Sequence, residues 1–285
     1  MLLRLLAIVT HFWLRLLGFR RTRRQIGDWS LVFYRKGRGG EPWVLLHGLG
    51  SNALSWSAVA RYLAPGSRVL IPELSAIGGT QGPRAGLAIE DGVPVVAEFL
   101  RRELAGEPAT VVGLSLGGWL AVRLALAEPA LVGRLVLIDA GGYRDQDWDR
   151  IRELVTVRGE EDVELLYRAL FRRVPLTFRV SRRAFRRVFT SAAVTAVIDA
   201  LREEDAFGPG ELAKLRLPVA VIWAEGDGLF RASVGREIAR HVPQASFYLV
   251  PDVGHALHWE DPRRLVEVLE ESRRELPRPA PAPTS

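Results

Sequence analysis

The chain has 285 residues, of which 48% are hydrophobic and 25% charged, so it can bury one large core and is neither disordered nor a multi-span membrane protein. It has no cysteine, and its five histidines show no paired ligand spacing, so we predict neither a disulfide framework nor a metal or other cofactor. The net charge is +6, but without a recognisable nucleic-acid module we predict no nucleic-acid partner.

The first segment is apolar with a basic edge. Arg4, His11 and Arg15 fall on one stripe of a helix over residues 2–19, and a basic run, Arg20-Arg21-Thr22-Arg23-Arg24, follows. We predict that residues 1–27 form an amphipathic helix that lies on a membrane, with residues 2–24 meeting anionic lipids. The alternatives are a short signal anchor and a helix docked on this protein or on a partner. We predict that the protein is associated with the cytoplasmic face of the membrane, since a spanning segment followed by this basic run would keep the main domain on that side.

From Trp29 onward, short apolar runs alternate with helical patterns. Several runs are continuously apolar, which is typical of strands buried on both faces, so the pattern predicts an α/β fold with a mostly parallel sheet. The predicted strands are 29–34, 43–46, 69–72, 110–113, 135–138, 219–223 and 246–250, and the predicted helices are 54–63, 93–104, 116–126, 233–241 and 262–276.

Residues 141–217 break this alternation, because they are helical in character without a convincing strand. We predict a helical lid here, inserted into a core formed by residues 28–140 and 218–276. The lid contains eight arginines and no acid between residues 168 and 187, so it either adds a membrane-facing surface or presents a solvated basic face. Residues 277–285 are proline-rich and are predicted to be an unstructured tail.

The pentapeptide Gly113-Leu114-Ser115-Leu116-Gly117 lies between a β-branched run and a helical run. This is the pattern of a nucleophile elbow, in which a strained serine needs small neighbours so that two backbones can approach. Ser115 is therefore the predicted nucleophile.

A serine hydroxyl needs a base and an acid that orients that base. Asp227 follows the strand-like run 219–223, and His255 follows 246–250, so both are predicted at the sheet edge that carries Ser115. Glu225 and Asp139 are rival acids. His258 is expected to be a packing residue or part of the pocket wall.

An oxyanion needs two preorganised backbone N–H donors. We assign them to Leu116, directly after the nucleophile, and to Leu49 in the loop His47-Gly48-Leu49-Gly50. His47 is expected to form structural hydrogen bonds rather than to act as a second base.

Four motifs in this order resemble the α/β-hydrolase superfamily: HGLG at 47–50, GLSLG at 113–117, WAEGD at 223–227 and GHALHWEDP at 254–262. The resemblance covers residues 29–276. It implies an eight-stranded, mostly parallel sheet with the lid inserted after the sixth strand, and a catalytic order of Ser, acid, His. Residues 72–80 depart from the DxxGxGxS pattern of many relatives, and we expect a different loop there.

Together these features predict a serine hydrolase that cleaves a carboxylic ester of a hydrophobic substrate. LIDAGG at 137–142, the basic lid and the N-terminal segment are most similar to monoacylglycerol-lipase-like membrane-associated hydrolases. The same triad also serves thioesterases, cofactor-free haloperoxidases and carbon–carbon bond hydrolases, so these stay open, as does a non-catalytic fold that binds a hydrophobic ligand.

Overall fold

A computed structural model describes residues 10–63 and 66–276, and eight of its strands form a single mixed sheet. The order across the sheet is β1-β2-β4-β3-β5-β6-β7-β8; β3 to β8 run parallel, and β1 and β2 pair antiparallel at one edge. This confirms the predicted α/β class and sheet. The strands are β1 Arg20–Ile26, β2 Trp29–Lys36, β3 Pro42–Leu46, β4 Arg68–Pro72, β5 Ala109–Leu114, β6 Val132–Ile138, β7 Val219–Ala224 and β8 Ala245–Val250.

The central strands β3, β5, β6 and β7 are buried along their whole length, which explains why their sequences are continuously apolar. Helices cover both faces of the sheet, and the buried side chains form one hydrophobic cluster on each side. The helices are α1 (residues 10–16), α2 Ser57–Ala60, α3 Ile89–Leu104, α4 Leu116–Ala127, α5 Trp148–Val155, α6 Glu160–Leu170, α7 Leu176–Val180, α8 Arg182–Phe189, α9 Ala192–Ala200, α10 Pro209–Leu212, α11 Ala232–His241, α12 Leu257–Glu260 and α13 Pro262–Glu275.

The prediction of one helix over residues 1–27 is wrong for residues 20–26, which form strand β1. A two-residue turn at Gly27 and Asp28 joins β1 to β2, and Gly27 has a φ of 52°, as the first central residue of such a hairpin turn requires. The basic run therefore forms a charged edge strand, which also protects the sheet from pairing with another chain. Its Arg24 and the neighbouring Arg35 both bond to the buried carboxylate of Glu103 on α3.

The predicted membrane helix over residues 1–9 and the predicted tail over residues 277–285 lie outside the described residues. Within the part of the chain that is described, no helix has the length and hydropathy needed to cross a bilayer.

Between β6 and β7 the chain forms six helices, α5 to α10, and no strand. The insertion follows the sixth strand, as the resemblance implies. It packs over the edge where β5, β6 and β7 end, because side chains of α5 to α8 share one cavity with Ser115 and His255. Its action as a lid stays a prediction.

Candidate active site

Ser115 occupies a strained turn between β5 and α4. Its φ is 54° and its ψ is −118°, in the positive-φ region that side chains rarely adopt. The two glycines explain how the turn fits: a Cβ on Gly113 would lie 2.3 Å from the carbonyl oxygen of Gly117, and one on Gly117 would lie 2.3 Å from that of Leu46. The sequence pattern therefore describes a real steric requirement.

Asp227 and His255 form a buried hydrogen-bonded pair beside this turn. His255 Nδ1 lies 2.8 Å from Asp227 Oδ2. Asp227 Oδ1 accepts from the backbone N–H groups of Leu229 at 2.7 Å and Phe230 at 2.9 Å, so both oxygens of its carboxylate are fixed. The loops after β7 and β8 bring the two residues together across 28 positions of sequence, as predicted.

Ser115 and His255 line the same cavity. No hydrogen bond joins Ser115 Oγ to His255 or to another described residue. Such bonds are often long in unliganded sites and tighten when substrate binds. The geometry leaves His255 Nε2 available to a proton from the serine, since Nδ1 is held by Asp227.

The rival acids lie in different surroundings. Glu225 is exposed at the surface, whereas Asp139 is fully buried after β6. Asp139 does not form the short contact with His255; its Oδ1 accepts from the backbone N–H of Ala224 at 2.7 Å. Burial, and then the negative charge of Asp227, raise the pKa of Asp139 well above its ordinary value.

Leu49 and Leu116 both line the cavity beside Ser115. The N–H of Leu116 opens helix α4, where the first N–H groups have no partner within the helix. Neither this N–H nor that of Leu49 donates to a described backbone or side-chain group. Both N–H groups are therefore free to donate to a bound ligand, and their role as oxyanion donors stays a prediction.

His47 ties the loop that carries Leu49 to the loop that follows β4. Its Nε2 accepts from the N–H of Leu74 at 3.0 Å, and its Nδ1 lies 3.0 Å from the carbonyl oxygen of Gly48. Burial lowers its pKa to about 4, so it is neutral, as a structural residue should be.

Sequence reasoning missed Glu73, which is buried 3.6 Å from His47 Nε2. Burial raises its pKa to about 7. The only available signal was the departure of residues 72–80 from the usual pattern. A Cβ on Gly78 would lie 1.8 Å from the Glu73 carboxyl carbon, so that glycine makes room for the acid.

His258 lies in the cavity wall between Trp56 and Trp259, in agreement with its predicted packing role. Burial lowers its pKa to about 3, and neither ring nitrogen has a hydrogen-bond partner among the described residues. It is a neutral, uncharged neighbour of His255.

Donor atoms of Asp139, Asp227 and His255 lie within 4.8 Å of one another, and in the described part of the chain this is the one group close enough to ligate a metal ion. The ring nitrogen that faces the carboxylates, Nδ1, already bonds to Asp227, and the second oxygen of Asp227 accepts two backbone N–H groups. These contacts fit a hydrogen-bonded acid and base.

The cavity has a volume of about 500 Å³, within the usual range for small-molecule sites. Ser115 and His255 are among the residues that line it, and both the insertion and the core supply apolar side chains to its walls. No lysine or arginine is among the described residues that line it. The apolar lining includes Trp148, Ile151, Val155, Leu166, Phe178, Phe185, Val188 and Phe189.

This fold, with a serine at the turn after β5 and an Asp–His pair after β7 and β8, defines an α/β hydrolase. The family model described as "alpha/beta hydrolase fold" matches residues 41–262, and the chain belongs to that family.

Among curated relatives, Lipase 1 of Psychrobacter immobilis is 24% identical over 258 residues, which cover 86% of this chain and 78% of the lipase. A 2-hydroxy-6-oxononadienedioate/2-hydroxy-6-oxononatrienedioate hydrolase of Paraburkholderia xenovorans is 26% identical over 272 residues, with 85% and 90% covered. A bacterial membrane phospholipase A of known structure is similar in fold, with a TM-score of 0.83, 22% identity, and coverage of 95% of this chain and 91% of that one.

Proposed function

We propose that the protein is a serine hydrolase that cleaves a carboxylic ester of a hydrophobic substrate through an acyl-enzyme on Ser115. One observation carries the proposal: His255, bound to Asp227, and the strained Ser115 line the same apolar cavity. The family membership supports hydrolysis, and the cavity supports the choice of substrate.

In the proposed reaction, His255 Nε2 takes the proton of Ser115 as Oγ attacks the ester carbonyl. Asp227 stabilises the imidazolium that forms, and the N–H groups of Leu49 and Leu116 bind the oxyanion. His255 then gives its proton to the leaving alcohol. Water attacks the acyl-enzyme with His255 again as the base, which releases the acid and restores the serine.

The proposed acyl group is of medium or long chain length. Apolar side chains of α5 to α8 and of the core line the cavity, and burying each methylene of a chain there contributes about 0.8 kcal/mol. A monoacylglycerol or another lipid ester fits this chemistry. Dicarboxylate substrates fit it less well, because no described lining residue supplies a cation to bind the second carboxylate.

Competitive labelling with a fluorophosphonate probe tests the nucleophile, and a panel of p-nitrophenyl esters, monoacylglycerols, acyl-CoA and carbon–carbon substrates tests the bond cleaved. We expect Ser115→Ala to lose labelling and hydrolysis, while Ser233→Ala, which changes an exposed serine of α11 that does not line the cavity, keeps both. Full esterase activity in Ser115→Ala would overturn the proposal. Preference for acyl-CoA or a carbon–carbon substrate would leave Ser115 as the nucleophile but show that the bond cleaved is not a carboxylic ester. Labelling without turnover would favour a ligand-binding role.

We also propose that the cavity opens toward a membrane. In the described residues, the most exposed large hydrophobic side chains include Phe12 (61%) and Leu16 (64%) of α1 and Leu176 (71%) and Val180 (62%) of α7. Thr10 of α1 and residues 177 and 178 of α7 line the cavity, so we infer that the exposed side chains of these two helices form an apolar rim at an opening of it.

Charge favours an anionic bilayer as the surface that this rim meets. Five arginines next to the rim are exposed and form no ion pair with a described residue: Arg172, Arg173, Arg179, Arg183 and Arg187. Each basic residue near an anionic leaflet contributes about 1 kcal/mol of attraction, and the cytoplasmic leaflet is the anionic one. Attachment at the cytoplasmic face therefore stays our proposal.

Co-sedimentation with vesicles tests this surface. We expect the double variant Leu176→Ser and Val180→Ser to bind phosphatidylglycerol-containing vesicles at least about tenfold more weakly, since burying each apolar side chain contributes 1 kcal/mol or more. Leu165→Ser is the matched control, because Leu165 is also exposed but does not line the cavity. Equal binding by all three proteins, or binding that does not weaken with salt, would contradict the proposal.

A further inference from the structure

A second buried carboxyl group lies behind the acid and base pair and has no assigned role. Asp139 follows β6 with a φ of 44°, in the left-handed region, and its side chain is fully buried. Its Oδ1 accepts from Ala224, while its Oδ2 receives no hydrogen bond from a described residue. Oxygens of Asp139 and Asp227 and a ring nitrogen of His255 lie within 4.8 Å of one another.

Two carboxyl groups this close in a buried site do not both ionise, because their charges repel and neither is solvated. The hydrogen bonds decide which one keeps the charge. Asp227 has three donors, the N–H groups of Leu229 and Phe230 and the ring of His255, whereas Asp139 has the single N–H of Ala224. The negative charge therefore lies on Asp227, and the proton on Asp139.

We propose that Asp139 is a positioning residue that stays protonated and donates its O–H to the carboxylate of Asp227. The inference rests on the proposed function, because it concerns the acid and base that activate Ser115. The raised pKa of Asp139 agrees with it. No proton is transferred: the O–H is a fourth donor that holds the Asp227 carboxylate in line with His255.

The protonation state of Asp139 also determines how much negative charge lies beside His255. If Asp139 were ionised, a second negative charge would stabilise the imidazolium of the resting enzyme, and a protonated His255 cannot accept the proton of Ser115. A neutral Asp139 therefore keeps His255 available as a base. The strained backbone at Asp139 is consistent with a side chain held in place for a purpose.

Other titratable groups near His255 do not supply this control. His258 and His47 are neutral, because burial lowers their pKa values to about 3 and about 4. Glu260 on α12 is bound by the N–H groups of Gly254, Arg172 and Arg173, on the outer side of the turn that carries His255. Asp139 is a buried acid whose pKa is raised by burial and then by the charge of Asp227, so its protonation depends on that charge.

The test is the pH profile of kcat/KM, whose acid limb reports protonation of the base. Asp139→Asn keeps a neutral donor toward Asp227 and an acceptor for Ala224, and asparagine tolerates positive φ. We expect its acid limb to match that of the wild type. If Asp139 is instead ionised in the wild type, Asp139→Asn removes a charge and moves the limb to lower pH by about one unit or more, which would overturn the inference.

Asp139→Gly removes the donor without backbone strain, because glycine adopts positive φ freely. A bare Asp227 carboxylate stabilises the imidazolium more strongly, so we expect the acid limb to move to higher pH, by about half a unit to one unit. Thermal unfolding checks that both variants are folded. An unchanged limb in a folded Asp139→Gly would also overturn the inference.

Asp227→Asn gives a second measurement that does not need an altered Asp139. Without the neighbouring charge, Asp139 is free to ionise beside His255, so the residual activity of this variant should rise with pH. The double variant Asp227→Asn with Asp139→Asn should be about tenfold less active than Asp227→Asn alone. Equal activity of the single and double variants would contradict the inference. Ser115→Ala measures the background activity. If Ser115→Ala stays active, the proposed function is wrong. If Ser115→Ala is inactive but the Asp139 and Asp227 variants do not behave as expected, only the role of Asp139 is wrong.

Discussion

Gly117→Ala tests whether the turn after β5 and the loop after β3 must touch for catalysis. The added Cβ would lie 2.3 Å from the carbonyl oxygen of Leu46 and 2.8 Å from that of His47. Both are backbone atoms, so relief requires α4 to move away from the loop that carries Leu49. The two proposed oxyanion donors would then separate.

For Gly117→Ala we expect a larger effect on kcat than on the free energy of unfolding. Overpacking of this kind costs about 1–3 kcal/mol, but replacing glycine by alanine inside a helix returns about 0.5–1 kcal/mol. The net loss in the free energy of unfolding is therefore about 0–2.5 kcal/mol. Misplacing one oxyanion donor reduces kcat by about 10²–10³-fold.

Thermal unfolding and p-nitrophenyl ester hydrolysis measure the two effects separately. Gly210→Ala is the matched control, because Gly210 is likewise the second residue of a helix, α10, and a Cβ there meets nothing within 4 Å. We expect the control to keep kcat. A Gly117→Ala variant with unchanged kcat would refute the close approach of the two backbones as a catalytic requirement.

Three further predictions follow from single contacts. Burial raises the pKa of Glu73 from 4.5 to about 7, so folding favours its protonated form, and the stability that this form contributes is complete below pH 4.5 and lost as pH rises to 7. Denaturant unfolding of the wild type should therefore show the free energy of unfolding decline by up to about 3 kcal/mol over this range, and Glu73→Gln should remove that decline. Ile151→Trp fills part of the cavity, so the acyl chain of the preferred ester should shorten by about two methylenes, and kcat/KM should change about fourfold for each methylene that no longer fits. Leu165→Trp should leave the preference unchanged, because Leu165 is exposed and does not line the cavity. Glu103→Ala leaves Arg24 of β1 and Arg35 of β2, both partly exposed, without their partner on α3, and calorimetry should show a loss of about 1–2 kcal/mol with kcat retained.

The site was more predictable than its surroundings because its constraints are local. Gly113 and Gly117 are needed by a single turn, and Asp227 and His255 each follow a strand that the sequence shows clearly. The partnership of Asp139 with Asp227 depends on how far apart the ends of two strands lie, and no periodicity reports that distance. Glu73 was missed for the same reason, since its neighbour His47 follows a different strand, β3.

Strand β1 shows how composition can mislead. Its arginines resemble a lipid-binding run, yet the Gly27-Asp28 pair is a two-residue hairpin signal that indicates a strand on each side. Counting arginines could not reveal which of them the fold uses: Arg24 bonds to Glu103, and Arg23 bonds to Ser30 and to the carbonyl oxygen of Gly79.

The same distinction applies within the insertion and sharpens the membrane proposal. Arg182 and Arg186 form ion pairs with Glu160 of α6, so their charges are partly neutralised inside the protein. Substitution of Arg182 should therefore lower stability more than vesicle binding, whereas substitution of the unpaired Arg179 should weaken binding to anionic vesicles at unchanged stability. Thermal unfolding and vesicle co-sedimentation of the two variants separate these effects. The reverse pattern would show that internal pairing does not decide which arginines reach the lipid.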